Sequence, residues 1–138
     1  KFVFEPMREL THELLNLGFE VWVVTGSPRW SVQAGVKGFG IPADRVIGTS
    51  VLVKGGVLTT ELEHEVPYRA GKARLIEKII GVDPLFAAGN TYWDKEMLTL
   101  ATELALAVHS EERGEPNHES EQRLQRLAET NKWLSQRL

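Results

Sequence analysis

The stretch Pro84-Leu85-Phe86-Ala87-Ala88-Gly89-Asn90-Thr91-Tyr92-Trp93-Asp94 decides the fold class of this chain. Its first five residues form a short apolar run, which is typical of a buried strand, and Gly89 then begins a turn. The turn carries an amide at Asn90 and, four residues later, a carboxylate at Asp94. Open α/β sheets bind ligands outside the carboxyl ends of their strands. The stretch therefore predicts a buried strand that ends in two oxygen-bearing side chains at a ligand site.

On both sides of this stretch, apolar runs alternate with segments of helical periodicity. Gly55-Gly56 separates two apolar runs and predicts a β-hairpin. Thr25 to Pro28 is predicted to be a turn, with Ser27 as the N-cap of the next helix and Pro28 as its first residue. We expect strands at 19–24, 45–49, 50–54, 57–60, 84–88 and 104–108, and helices at 6–17, 28–37, 71–80, 119–138 and from the 89–94 turn to about 102.

This alternation predicts an α/β fold: a three-layer α/β/α Rossmann-like core with a mainly parallel sheet and a small β-hairpin. Right-handed crossovers align the carboxyl ends of parallel strands, so we expect Thr25 and Asn90 at the same edge. The predicted organisation is a core at 1–109, a polar linker at 110–118 and a C-terminal amphipathic helix at 119–138. That helix has an apolar stripe, which we expect either to pack on the core or to form a homodimer contact.

The composition excludes several classes of protein. The hydrophobic fraction of 42%, the charged fraction of 25% and the net charge of −3 are typical of a globular protein that binds neither nucleic acid nor a membrane surface. Apolar runs are too short to span a membrane, and cysteine is absent. We expect a cytoplasmic protein. The chain opens at Lys1 rather than Met, which leaves an upstream targeting segment open.

Thr25 and Gly26 end an apolar run and are the first candidate phosphate-binding residues. A hydroxyl and a backbone N–H at a strand end can both donate to phosphoryl oxygens; the alternative is an ordinary cap and turn. Arg29 and Trp30 follow the turn and are candidate substrate contacts; the alternative for Trp30 is a residue of the core or of a pocket wall.

Lys72 is the next candidate, because the helix dipole disfavours a lysine at a helix start and function can override such a rule. The alternative is a solvated surface lysine. Asn90 and Asp94 can offer oxygen atoms to Mg²⁺, a cation that takes few protein ligands. Their alternatives are a turn residue and a helix N-terminal carboxylate.

In chain order, these elements resemble the haloacid dehalogenase superfamily, in its phosphoserine phosphatase-like branch. Val23-Val24-Thr25-Gly26-Ser27 resembles the second family motif, Gly71-Lys72 the third, and Gly89 to Asp94 followed by Met97-Leu98 the fourth. The resemblance covers about residues 6–108 and also includes Gly40-Ile41-Pro42, Val46-Ile47-Gly48-Thr49 and the hairpin that follows.

The resemblance implies a Mg²⁺-dependent phosphomonoester hydrolase that acts on a small phosphorylated metabolite through an aspartyl-phosphate intermediate. It makes Thr25 and Gly26 binders of the phosphoryl oxygens, and makes Lys72 the bridge between phosphate and nucleophile. Lys72 and Asp94 are then the catalytic residues of this chain. Asn90 becomes a direct metal ligand, while Asp94 acts through water or by orienting its neighbours.

Two departures from the family pattern matter. The opening Asp-x-Asp motif is absent, so we expect the nucleophile, the central first strand and a cap domain upstream of Lys1, and the chain alone to be inactive. Asn90 stands where the family has a metal-binding aspartate, so we expect weaker metal binding. A non-catalytic phosphate-binding relative is therefore the alternative function. An unrelated nucleotide-binding domain lacks its Gly-x-Gly-x-x-Gly or Gly-Lys-Ser/Thr loop.

Overall fold

The computed structural model describes residues 5–109 and 116–137. Over this part of the chain, helices alternate with strands, and the strands of two sheets run parallel. The chain forms two compact units, residues 1–67 and residues 68–138. The predicted α/β class with parallel sheets is confirmed.

The first unit holds a two-stranded parallel sheet and two helices. Helix α1 spans Glu5–Asn16, strand β1 spans Val23–Pro28, helix α2 spans Arg29–Gly35 and strand β2 spans Val46–Thr49. In the register of the sheet, Val23 pairs with Val46 and Val24 with Ile47. Strand β2 is short and largely buried, because its apolar side chains supply much of the core of this unit.

The predicted hairpin is confirmed. Strand β3 spans Val51–Lys54 and strand β4 spans Val57–Leu62, and the two pair antiparallel. Gly55 and Gly56 have φ of 60° and 79°. Two-residue turns of this kind need positive φ at both central positions, which glycine adopts without steric cost.

The second unit has a three-stranded parallel sheet in the order β5-β6-β7. A buried apolar cluster forms its core, with members from β5, α4, β6 and α5: Ala87, Leu98, Ala105, Ala107, Leu124 and Ala128. The elements are α3 at Ala70–Leu75 with a π-helical turn at Ile76–Ile80, β5 at Phe86–Gly89, α4 at Lys95–Thr99, β6 at Leu104–His109, α5 at His118–Asn131 and β7 at Leu134–Arg137.

The prediction of one helix over 119–138 is wrong at its end. Helix α5 ends at Asn131, and Leu134–Arg137 form β7, which lies parallel to β6. Lys132 adopts the left-handed conformation with φ of 58°, and the N–H of Trp133 returns to the carbonyl of Ala128. This backbone geometry ends a helix. The position carries lysine rather than glycine, so the sequence does not predict the helix end. Most of the predicted linker, residues 110–115, lies outside the described residues.

The predicted boundaries around Thr25 are also wrong. Pairing begins at Val23 because the partner strand β2 begins at Val46, so residues 19–22 precede the strand. Strand β1 continues to Pro28, which is itself the N-cap of α2. The Ser27 N–H instead donates to Thr25 Oγ1 at 3.1 Å. Ser27 is therefore a strand residue that bonds back to Thr25.

Candidate active site

The turn after β5 is built around the carboxylate of Asp94. Its Oδ2 accepts hydrogen bonds from the backbone N–H of Asn90 at 3.2 Å and of Thr91 at 3.0 Å, and from Thr91 Oγ1 at 3.1 Å. Thr91 and Asp94 form a reciprocal capping box at the start of the 3₁₀ turn Tyr92–Asp94. The local sequence thus folds the end of the strand around one buried acid.

Gly89 is required by this arrangement for steric reasons. A Cβ atom on Gly89 would lie 2.6 Å from the Cβ of Asp94 and 3.0 Å from its Oδ2. Such distances are far below van der Waals contact, so the carboxylate occupies the space that a side chain at position 89 would need. The glycine of the motif therefore makes room for its aspartate.

Lys72, in the first turn of α3, forms an ion pair with the other oxygen of the same carboxylate, Asp94 Oδ1. The side chain of Asp94 is only 5% exposed and that of Lys72 is 14% exposed. A charge so removed from water is tolerated when it is paired and hydrogen-bonded. The structure thus brings together Lys72, Asp94 and the backbone of Asn90, three of the predicted site residues.

The hydrogen bonds that Asp94 accepts bear on the predicted Mg²⁺ site. Both carboxylate oxygens of Asp94 already accept bonds from protein donors, which favours an orienting role over direct metal coordination. Asn90 is exposed, and its amide oxygen is a suitable hard ligand. Across residues 5–109 and 116–137, no three His, Asp or Glu side chains cluster in a way that could hold a metal ion. A complete Mg²⁺ site would need further oxygen ligands besides Asn90.

Thr25 and Gly26 lie in the first unit, near the end of β1. The carbonyl of Gly26 accepts a hydrogen bond from Thr49 Oγ1 at 2.7 Å, and Thr25 Oγ1 accepts the bond from Ser27. A hydroxyl that accepts one bond keeps its own hydrogen as a donor. The segment is thus fixed on β2, with a hydroxyl suited to an anion. Its predicted sharing of one sheet edge with Asn90 stays a prediction.

The two predicted substrate contacts differ in their surroundings. The guanidinium of Arg29 forms an ion pair with Glu63 at 2.8 Å and lies 5.4 Å from the ring centre of Trp30. Trp30 itself is 40% exposed. Arg29 therefore already has a carboxylate partner within its own unit, whereas the Trp30 ring remains open to solvent.

Sequence reasoning missed Glu63 and its partner Ser50. The buried Ser50 hydroxyl donates to the Glu63 carboxylate, and Arg29 approaches the same group. The hydrogen bond from Ser50, together with the positive charge of Arg29, holds the pKa of Glu63 below its usual 4.5, although desolvation opposes them. No sequence motif predicts this pair, because the two residues come together only when the hairpin forms.

Gly48 lies in a stretch that resembles the family, but the sequence did not predict its steric role. A Cβ atom at this buried position of β2 would lie 2.7 Å from Arg29 Cα and 3.0 Å from the Ser27 carbonyl oxygen. The close approach of β2 to the start of α2 therefore depends on glycine. Gly48 helps to place the segment that carries Thr25 and Gly26.

The comparisons with known proteins identify the family and the fold. The model of the haloacid dehalogenase-like hydrolase family matches residues 1–99, and the chain therefore belongs to that family of hydrolases. A phosphoserine phosphohydrolase-like protein from Francisella tularensis subsp. tularensis SCHU S4 shares the fold, with a TM-score of 0.59 and 21% identity. The alignment covers 77% of this chain and 50% of that protein, so the chain spans about half of its length.

Two further observations concern curated relatives and membrane-spanning helices. No curated protein gives a significant sequence match to the chain. Within the part of the chain that the structure describes, no helix combines the length and the apolar character needed to cross a membrane.

Proposed function

We propose that these 138 residues form part of a Mg²⁺-dependent phosphatase that hydrolyses a small phosphorylated metabolite through an aspartyl-phosphate intermediate. The observation that carries this proposal is the Lys72–Asp94 ion pair at the carboxyl end of β5. A lysine fixed by a buried carboxylate at a strand end is positioned to stabilise charge on a phosphoryl group. Membership of a hydrolase family supports the same reaction class.

The nucleophile of the proposed reaction is a carboxylate from outside these 138 residues. The chain has three aspartates, Asp44, Asp83 and Asp94, and no two of them form an Asp-x-Asp pair. Asp94 is already bonded to Lys72 and to the turn, which leaves it unsuited to attack phosphorus. Turnover therefore requires one aspartate and one general acid in addition to the residues described above.

The reaction then has two steps. The aspartate attacks phosphorus, the ester P–O bond breaks, and the general acid gives its proton to the leaving oxygen. Water next attacks the aspartyl phosphate, which releases phosphate and restores the carboxylate. Lys72 supplies positive charge to the phosphoryl group. The family resemblance makes Thr25 and the Gly26 N–H the proposed donors of hydrogen bonds to its oxygens. Bound Mg²⁺, with the Asn90 amide oxygen among its ligands, would neutralise further charge on the phosphoryl group.

The test is phosphate release from small phosphate esters, with and without Mg²⁺, by the 138-residue chain and by any longer natural polypeptide that contains it. We expect turnover when an Asp-x-Asp strand is present and none from the 138 residues alone. Lys72→Met should abolish turnover, whereas Lys78→Met, at an exposed position of α3's π-helical turn, should not. Metal-dependent turnover by the isolated chain would show that the nucleophile lies within the 138 residues and would contradict this part of the proposal.

The alternative is a non-catalytic relative that binds phosphate, and Asn90 in place of a metal-binding aspartate favours it. Phosphate binding without turnover, in a polypeptide that carries an Asp-x-Asp strand, would support this alternative and contradict the phosphatase proposal.

A further inference from the structure

Helix α3 begins from a backbone conformation that is unusual for its residue. Arg69, the residue just before Ala70, has φ of 53° and ψ of −130°. L-residues rarely adopt this combination, and glycine adopts it freely. Strained conformations of this kind persist where surrounding contacts hold them, and they cluster at functional sites. A contact made by the Arg69 side chain should therefore explain why the position is not glycine.

The Arg69 side chain does make such a contact. Its guanidinium carbon lies 4.0 Å from the centre of a Trp93 ring and 5.1 Å from that of Tyr68. The two aromatic rings lie 5.9 Å apart. The side-chain contacts that the structure gives for Arg69 are with these two rings. Stacking of a planar guanidinium on Trp is the strongest form of this interaction.

The Arg69–Trp93 contact joins the same two segments as the Lys72–Asp94 ion pair. Arg69 is the residue just before α3, and Lys72 lies in the first turn of that helix. Trp93 and Asp94 are consecutive in the 3₁₀ turn that follows β5. The backbone N–H of Lys72 also donates to the Arg69 carbonyl at 3.0 Å. This hydrogen bond links the backbone of Arg69 to that of Lys72 at the start of α3.

We propose that Arg69 is a positioning residue for Lys72. Its stacking on Trp93 holds the strained turn, and that turn fixes the start of α3 so that the Lys72 ammonium meets the Asp94 carboxylate. The importance of Lys72 for phosphoryl transfer rests on the proposed function above. The positioning itself does not, because it concerns only contacts within residues 68–138.

The variant Arg69→Gly separates the side chain from the backbone. Glycine relieves the strain at φ of 53° while removing the guanidinium, so the turn itself remains accessible. The readout is the side-chain ammonium signal of Lys72 in ¹H–¹⁵N spectra of the 138-residue chain, assigned by its disappearance in Lys72→Ala. A paired and largely buried ammonium exchanges slowly with water, and we expect Arg69→Gly to broaden or erase this signal.

Two further variants serve as controls. Arg69→Lys keeps the charge but lacks the planar guanidinium, and we expect an intermediate effect on the Lys72 signal. Arg126→Ala removes an exposed cation from α5 and should leave that signal unchanged. Backbone amide spectra confirm that each variant is folded. An unchanged Lys72 signal in folded Arg69→Gly overturns the inference, as does a loss in Arg69→Gly that Arg69→Lys does not partly restore.

An active, longer polypeptide provides a second readout. There we expect Arg69→Gly to lower kcat by on the order of tenfold to a hundredfold with little change in KM, because a displaced catalytic group weakens the transition state more than the bound substrate. Unchanged kcat in an active polypeptide contradicts the inference. If no polypeptide with all motifs is active but the Lys72 signal responds as expected, the proposed function fails and the positioning role stands.

Discussion

At the scale of single residues, Asp94 connects the parts of the second unit that carry chemistry. One oxygen accepts from the turn that bears Asn90, and the other pairs with Lys72. Gly89 has no side chain where the carboxylate lies. The same acid therefore shapes the turn and orients the lysine, which explains why these residue types occur together.

Asp94→Asn should destabilise the chain by about 2–3 kcal/mol, because a neutral amide cannot pair with Lys72 and offers one acceptor where the turn supplies several donors. Urea unfolding followed by circular dichroism measures this change in the free energy of unfolding. Asp44→Asn, at an exposed position, is the matched control and should change stability by less than about 0.5 kcal/mol. Equal stabilities of the two variants would contradict the structural role of Asp94.

Asn90→Asp should tighten Mg²⁺ binding by on the order of tenfold, since ligand charge tunes the affinity of oxygen sites for divalent cations. Mg²⁺ titration of phosphate release, in a polypeptide that is active, gives the concentration for half activation. Asn117→Asp adds the same charge just before α5 and should leave that concentration unchanged. A metal requirement that stays the same or rises in Asn90→Asp argues against Asn90 as a ligand.

The sequence singles out candidate site residues but not the residues that hold them in place. Thr25, Lys72 and Asp94 stand out because motif order and the position at strand ends carry chemical meaning. Arg69 does not, because an arginine at positive φ has no signature in a sequence. Its role depends on a ring 24 positions away, at Trp93, and only the folded chain brings the two together.

At the scale of secondary-structure elements, the packing of β2 against the start of α2 depends on Gly48. Gly48→Ala should lower the free energy of unfolding by about 2 kcal/mol, because the nearest atoms are backbone atoms of Arg29 and Ser27 that cannot move aside cheaply. Thermal unfolding measures the effect. Gly35→Ala, where a Cβ would meet nothing within 4 Å, should be neutral or stabilising by up to about 1 kcal/mol.

The contact of the Glu63 carboxylate with Ser50 and Arg29 should make the stability of the folded chain depend on pH. The pKa of Glu63 is lowered in the folded chain by Ser50 and Arg29, so the carboxylate favours folding at pH values above its usual 4.5. That contribution is lost as pH falls through the lowered folded-state pKa.

The measurement is the melting temperature between about pH 7 and about pH 3. In Ser50→Ala the largest cause of the lowered pKa is gone, so the loss of stability over this acidic range should be smaller than in the parent chain. Ser31→Ala, on the exposed side of α2, should retain the parent profile. Parallel profiles for Ser50→Ala and the parent chain would rule out the proposed linkage.

Most elements were predictable because apolar periodicity and glycine turns fix them locally. The hairpin is the clearest case, since Gly55-Gly56 supplies the two positive φ angles of its turn. Strand β7 was not predictable in this way. Leu134 continues the apolar spacing of α5, and the break depends on Lys132, a residue type that rarely adopts the left-handed conformation. Pairing with β6, a tertiary contact, then decides the strand.

At the scale of the whole molecule, the residues that match the family model end before the residues that complete the core of the second unit. The match ends at residue 99, but the core of the second unit includes Leu124 and Ala128 from α5. Ser120, also in α5, accepts a hydrogen bond from the Tyr92 N–H at 2.9 Å. The segment after the match thus supports both the core and the turn that carries the site.

Leu124→Ala should therefore cost about 3 kcal/mol, since the leucine is fully buried in the shared core. Leu134→Ala, where the leucine is 51% exposed, should cost less than about 1 kcal/mol. Chemical denaturation of both variants gives the comparison. Similar costs would mean that α5 is peripheral to the fold.

The register of β7 has a practical consequence for protein engineering. Gly89 pairs with Ala107, and Ala107 pairs with Ser135, so the three strands reach the same level two residues before β7 ends at Arg137. A fusion joined directly after β7 would start at the edge of the sheet that carries the Gly89 turn, about 10 Å from that turn across two strand spacings. Assays and crystallisation trials should therefore use a cleavable fusion at this position.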